Sequence, residues 1–112
     1  MTSDSSANKK DGRLKKIVRE LATEFVERES NRQSLVTVTD IRLADKGKRA
    51  LILLSVFPET AERAVIDFLK RRRGSFREFV VAESALGRIP FFDFSIDLGE
   101  KNRQKIDRMS RS

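Results

Sequence analysis

The hydrophobic positions of this chain first repeat with the period of a helix. Between Arg13 and Arg28 the apolar side chains form one continuous face, made of Leu14, Ile17, Val18, Leu21, Ala22, Phe25 and Val26. The charges of this helix run from cations to anions, the reverse of the order that the helix dipole favours. Two explanations of this reversed charge order stay open: it arose by chance, or the positive end of the helix binds a partner. Residues 1–12 are mostly polar, and we expect them to form a disordered tail.

The next pattern predicts two strands joined by a turn. The first runs from Leu35 to Leu43, and a shift in its apolar phase between Val38 and Ile41 indicates a β-bulge. The second, residues 49–57, is apolar on both faces, which is typical of a central strand. Because the turn at residues 45–48 is short, we expect an antiparallel hairpin.

The middle of the chain reads as a helix, a break and a second helix. Ala61, Ala64, Val65, Phe68 and Leu69 form one apolar face, and a row of four cations, residues 70–73, follows it. Gly74 then predicts a break, with the second helix starting near Ser75. Free N–H groups at such a helix start favour anions, so this junction could seat a phosphate backbone. The alternative is a plain connection between two core helices, with solvated cations.

A third strand and a basic tail complete the pattern. Phe92, Phe94 and Ile96 alternate with polar residues from Phe91 to Asp97, and Asp93 and Asp97 are interpreted as a solvated face. Residues 100–112 are predicted to be a basic tail with weak support for a short helix. The order indicates an α+β domain over residues 13–99, with three helices on one face of a three-stranded sheet.

Composition narrows the class of function. The 112 residues suit one domain, and 24 Lys and Arg against 17 Asp and Glu give a net charge of +7. Such a balance favours polyanions as binding partners, nucleic acid first and an anionic membrane second. The chain contains neither Cys nor His, the residues most used as nucleophile, general base or metal ligand. We therefore predict no enzyme, catalytic residue, metal or cofactor. No apolar run suits a membrane span or a signal peptide, so a cytoplasmic location is expected.

Several segments in order resemble the ribosome-binding factor A family. The basic helix opening, residues 13–17, is similar to the family's start. The strands at residues 35–43 and 50–56 look like its first two, and Gly74-Ser75-Phe76-Arg77 resembles the start of its helix after the kink. The most specific segment is residues 89–97, Ile-Pro-Phe-Phe-Asp-Phe-Ser-Ile-Asp, which is similar to the family's V-P-x-L-x-F-x-x-D. The likeness covers residues 13–99.

This resemblance implies a type II KH-like fold with the order α-β-β-α-(kink)-α-β. It also implies a monomeric, non-enzymatic factor that binds 16S rRNA of the small (30S) ribosomal subunit and assists late maturation, including 16S rRNA processing. In the family an A-x-G kink replaces the G-x-x-G loop of ordinary KH domains. Here the triplet is Arg72-Arg73-Gly74, so an arginine stands in the alanine position.

The candidate RNA contacts fall into three groups. The main group is the junction, with Lys70, Arg71, Arg72, Arg73, Gly74, Ser75 and Arg77. The second lies on the hairpin, with Lys46, Lys48 and Arg49, and the third opens the first helix, with Arg13, Lys15, Lys16 and Arg19. Each group could instead be a solvated surface of little energetic weight.

Most phenylalanines have core spacing, but Phe91 faces outward on the third strand. The alternative functions are a protein-interaction module that recruits a partner strand, and a KH-type RNA-binding protein unrelated to the ribosome. Generic DNA binding is disfavoured because no helix-turn-helix or ribbon pattern is present.

Overall fold

The computed structural model describes residues 2–30 and 33–111. A tight turn with positive φ at each residue, Asp45–Gly47, and a short 3₁₀ turn, Glu59–Ala61, lie between larger elements. In chain order those elements are α1 (Thr2–Glu29), β1 (Leu35–Ala44), β2 (Arg49–Phe57), α2 (Glu62–Arg71), α3 (Arg73–Glu83), β3 (Phe91–Ile96) and α4 (Leu98–Arg111). This is the α+β order that the hydrophobic pattern predicts, with one further helix at the C-terminal end.

The three strands form one mixed sheet in the order β1-β2-β3. β1 and β2 are antiparallel, with a register shift between Val38 and Asp40, so the predicted hairpin and bulge are confirmed. β3 lies parallel to β2, which places Arg49 opposite Phe91. β2 is therefore the central strand, in agreement with its two apolar faces.

The core lies between the sheet and the helices. Phe76 of α3 is fully buried, and its ring centroid is 5.2 Å from that of Phe25 on α1 and 4.7 Å from that of Phe92 on β3. The Phe76–Phe92 contact is edge-to-face, and aromatic contacts of this kind add to the free energy gained by burial. One aromatic cluster thus joins α1, α3 and the sheet and fixes where the α2–α3 junction stands.

Both ends of the chain are more helical than their composition indicates. α1 begins at Thr2, whereas residues 1–12 were expected to be disordered; Met1 lies outside the described residues. Once a helix exists, each added residue gains a hydrogen bond without a new nucleation step, so a polar extension can continue it.

The segment after β3 forms α4 instead of a tail, and Ser112 lies outside the described residues. Asp97 caps α4 by accepting a hydrogen bond from the Glu100 N–H at 3.0 Å. Nζ of Lys101 lies 2.6 Å from Oε1 of Glu59 and 3.1 Å from Oε1 of Glu62, which ties α4 to the start of α2. Over the part of the chain that the structure describes, no helix is long and apolar enough to cross a membrane.

Candidate nucleic-acid interface

The junction between α2 and α3 is a single residue, Arg72, with φ −100° and ψ 12°. Its N–H donates to the Leu69 carbonyl at 3.0 Å, and its carbonyl accepts from the Phe76 N–H at 2.9 Å. The predicted break at Gly74 and helix start near Ser75 are therefore wrong, because both residues lie in the first turn of α3. The Arg72 backbone lies outside the helical region, but its φ is negative and therefore open to any residue, so no glycine is needed for the turn.

The start of α3 has backbone donors for which the helix itself supplies no acceptor. The first N–H groups of a helix, here those of Arg73, Gly74 and Ser75, have no intrahelical acceptor. No side chain caps this end, and its first turn contains no acidic residue. A Cβ added to Gly74 would meet no atom within 4 Å, so the backbone is open to approach from outside. These features suit an anion such as a phosphate group.

Three of the four cations in the row contact acidic side chains on two neighbouring elements. Lys70 and Arg73 point toward β3, where Nζ of Lys70 lies 3.7 Å and Nη1 of Arg73 lies 3.4 Å from Oδ1 of Asp93. Arg72 turns the other way, with Nη1 3.8 Å from Oε2 of Glu29 at the end of α1. Its guanidinium also lies 4.9 Å from the centre of the Phe68 ring.

Arg71 differs from its neighbours in the row. It is exposed, and among the described residues no ion pair involves it. It lines an open cavity of about 590 Å³ between α2 and the end of α1. Arg77, one turn into α3, donates a hydrogen bond from Nη1 to the carbonyl of Ile89 at 3.4 Å. The junction cations therefore differ widely in how freely they can contact a phosphate.

The hairpin cations meet part of the junction at the start of β3. The Phe91 N–H donates to the carbonyl of Lys48 at 2.8 Å. The guanidiniums of Arg49 and Arg73 lie 5.9 Å and 5.4 Å from the centre of the Phe91 ring. Lys46 and Lys48 are exposed in the adjoining turn. Arg49 of the hairpin group and Arg73 of the junction group thus meet at Phe91, whereas Arg71 and Arg72 lie on the side of α1.

The third group lies beside the same turn. Leu14 of α1 approaches within 3.5 Å of the position that a Cβ on Gly47 would take, so this part of α1 packs against the hairpin turn. The four cations of the group are all exposed: Arg13, Lys15, Lys16 and Arg19.

Two aspartates have partners that sequence spacing does not reveal. Asp93 is half-buried and accepts from Arg73, and Asp97 accepts a hydrogen bond from the Thr39 hydroxyl at 2.6 Å. The interpretation of these two residues as a solvated face is therefore wrong. Their partners are distant in sequence, and only the sheet topology brings them together. Within the described residues, no three acidic, His or Cys side chains cluster closely enough to hold a metal ion.

The three-stranded sheet, the helices and the one-residue helix junction define a KH-like α+β domain. A family model described as ribosome-binding factor A matches residues 7–110. The chain therefore belongs to the ribosome-binding factor A family, as its sequence resemblance indicates. The matched region extends beyond residues 13–99 into both α1 and α4.

Solved structures agree on the fold. The crystal structure of ribosome-binding factor A from Thermus thermophilus is similar with a TM-score of 0.66 and 19% identity, over 76% of this chain and 93% of that one. A Thermotoga maritima protein solved by NMR is similar with a TM-score of 0.56 and 19% identity, over 75% of this chain and 79% of that one. A homology model of the Thermus thermophilus factor was fitted into a cryo-EM map of a 30S–RbfA complex. It is similar with a TM-score of 0.57 and 21% identity, over 70% of this chain and 86% of that one. No curated protein matches the chain at a significant level.

Proposed function

We propose that this chain binds the small (30S) ribosomal subunit through its 16S rRNA and assists late maturation of that subunit, including 16S rRNA processing. Family membership supports the ribosome as target, and a relative of similar fold has been fitted into the map of a 30S complex. The net charge of +7 suits rRNA. We further propose that it acts as a cytoplasmic monomer, without catalysis, and that residues 13–99 are the binding unit.

One observation carries the proposal: Arg49 of the hairpin and Arg73 and Lys70 of the junction meet around β3, beside the start of α3, which no side chain caps. A phosphate backbone that crosses this surface would meet point charges and oriented backbone donors together. We assign the phosphate contacts to the three groups named above, with Arg71, Lys46 and Lys48 the most available. Arg72 also links the junction to α1 through its contact with Glu29, and its remaining N–H donors can still reach a phosphate.

Cosedimentation of the purified protein with small subunits, large subunits and intact ribosomes across a salt series tests the proposal. We expect retention on free small subunits that weakens as salt rises, with a log–log slope of about −0.7 to −0.9 per phosphate contact. The double variant Lys46→Gln/Lys48→Gln should flatten that slope by about 1.4 to 1.8 if both lysines contact phosphates. Arg63→Gln/Arg88→Gln is the control, since it removes the same charge at exposed positions elsewhere. No retention on any particle at low salt would disprove the proposal.

A protein-binding role has one observation in its favour. Leu35 and Phe57 face each other across β1 and β2, and both side chains are largely exposed. β1 is an edge strand, so a partner strand could add to it. Loss of small-subunit retention in Phe57→Ser, with the lysine variants unaffected, would favour this function over rRNA binding.

A further inference from the structure

Phe91 is an exposed aromatic ring on a rigid support. Its side chain is 55% exposed, whereas its neighbour Phe92 is 3% exposed and anchored in the core. Backbone pairing with β2 fixes the residue, since its N–H donates to the Lys48 carbonyl and Arg49 stands opposite it. The ring is thus presented outward by a paired strand and not by a loop.

Two guanidiniums flank this ring, and each is held by a carboxylate. Nε of Arg49 lies 3.2 Å from Oδ2 of Asp45, and Nη1 of Arg73 lies 3.4 Å from Oδ1 of Asp93. The arginine side chains nevertheless stay 68% and 40% exposed. Each guanidinium has five N–H donors, so donors remain for a ligand after its carboxylate is bound.

The same combination does not recur elsewhere in the described part of the chain. Phe68 and Phe79 each lie near one arginine, but both are partly buried against the core. Phe57 is 73% exposed, yet no guanidinium lies over its ring in the described residues. Only at Phe91, within those residues, does an exposed aromatic residue coincide with two guanidiniums that are each held by a carboxylate.

We propose that Phe91 is a stacking platform for one unpaired RNA base, with Arg49 and Arg73 binding the phosphates on either side of that nucleotide. This inference rests on the proposed rRNA binding and specifies its ligand as a single-stranded segment. A base offers the flat apolar surface that the ring needs, and its phosphates offer the anions that the guanidiniums need. An apolar protein partner would instead have to desolvate both charges. Bases in a duplex are already stacked on each other, so a duplex should not reach the ring.

The chain has no Trp and no Tyr, which gives a direct test. Phe91→Trp introduces a sole tryptophan whose emission is quenched when a base stacks on it, and Phe57→Trp is the matched exposed control. The probes are an unstructured RNA of about 12 nucleotides and a duplex of the same composition. Saturation is followed independently by the anisotropy of a label on the RNA. We expect the single strand, and not the duplex, to quench the emission of Phe91→Trp, and we expect little change in Phe57→Trp.

Affinity gives a second readout. Phe91→Leu keeps an apolar side chain on the strand but removes the ring, and it should weaken single-strand binding about 5- to 100-fold. Phe57→Leu should bind like the wild type, and thermal unfolding of both variants checks that they fold. Unquenched emission of Phe91→Trp at saturation, equal quenching by the duplex, unchanged affinity of Phe91→Leu, or no binding of the single strand at low salt would each overturn the inference.

Small-subunit cosedimentation separates this inference from the proposed function. If the stacking tests fail while the wild type is still retained on small subunits, only the stacking platform is disproved. If Phe91→Leu loses retention although no RNA quenches the emission of Phe91→Trp, the ring contacts a ribosomal protein, and the inference is also wrong. Absence of retention in the wild type disproves the proposed function itself.

Discussion

Oδ1 of Asp93 lies 3.4 Å from Nη1 of Arg73 and 3.7 Å from Nζ of Lys70, so one carboxylate partly neutralises two cations of the α2–α3 junction. The side chains of both pairs remain 35–44% exposed, and pairs that solvent still reaches contribute little to stability, typically about 0–1 kcal/mol. The carboxylate therefore matters more for the electrostatic potential of the surface than for the fold.

Asp93→Asn should tighten binding to small subunits. The asparagine carbonyl still accepts a hydrogen bond, but the negative charge beside Lys70 and Arg73 is gone. We expect a higher affinity at about 50 mM salt and a salt slope steeper by up to about 0.9. Cosedimentation across a salt series measures both. Glu24→Gln, an equal charge change at an exposed site on α1, should leave the slope unchanged. Weaker binding by Asp93→Asn would contradict this account of the surface.

Gly74→Ala should separate folding from binding. Gly74 lies inside α3, its φ is not positive, and the space around a new Cβ is empty. Alanine is the better helix former, so the free energy of unfolding should stay the same or rise by up to about 1 kcal/mol. If a phosphate approaches the backbone there, the added methyl group should nevertheless reduce retention on small subunits.

Thermal unfolding and cosedimentation of the same Gly74→Ala preparation give both results. Gly87→Ala is the control, because Gly87 also has open space but lies in the loop before β3. Wild-type retention by Gly74→Ala would show that no ligand approaches this backbone closely.

Asp97→Ala should destabilise the attachment of α4. Asp97 caps that helix and also accepts the Thr39 hydroxyl from the bulged part of β1. Loss of an N-cap typically costs about 1 kcal/mol. The Thr39 hydroxyl adds little to this cost, because it can still donate to the Leu53 carbonyl at 3.2 Å. Denaturant unfolding measures the change. Asp107→Ala, at an exposed position on α4, should have a much smaller effect, and equal effects of the two variants would rule out the capping role.

The regular core of the fold follows from sequence periodicity. Phe76 and Val80 have helical spacing, and both are fully buried on α3. The phase shift in β1 marks the bulge because a strand places alternate side chains on opposite faces. The outward position of Phe91 follows from the same alternation, and its ring is exposed.

The features that the sequence did not predict depend on contacts between distant residues or on weak local preferences. The pairing of Asp93 with Lys70 and Arg73 joins residues far apart in the chain, and no spacing rule predicts it. The break between α2 and α3 occupies one residue, Arg72. Its backbone groups bond to Leu69 and Phe76, so the sequence pattern does not mark its exact position. The polar ends of α1 and α4 lack a strong hydrophobic period, so composition alone favoured disorder there. The sequence therefore identifies the cation groups, but it does not predict that Arg49 and Arg73 approach the Phe91 ring.

Stability should depend on the charge of Lys101 at alkaline pH. Hydrogen bonds with the carboxylates of Glu59 and Glu62 raise the pKa of Lys101 above its ordinary value of 10.5. A group whose pKa is higher in the folded protein contributes stability fully below its unfolded pKa, and that contribution is lost as pH rises through the folded value. The contact between α4 and α2 should therefore weaken above pH 10.5.

Thermal unfolding of the wild type, Lys101→Met and Lys101→Arg from about pH 8 to about pH 12 tests this dependence. Lys101→Met lacks the ion pairs at every pH, so its Tm should lie below that of the wild type at about pH 8 and approach it at the alkaline end. Lys101→Arg keeps its charge throughout and should retain its advantage over Lys101→Met, because arginine stays protonated across this range. The remaining lysines titrate alike in all three proteins, so their effect cancels in the differences. A constant gap between wild type and Lys101→Met across the range would show that the contact acts through packing and not through charge.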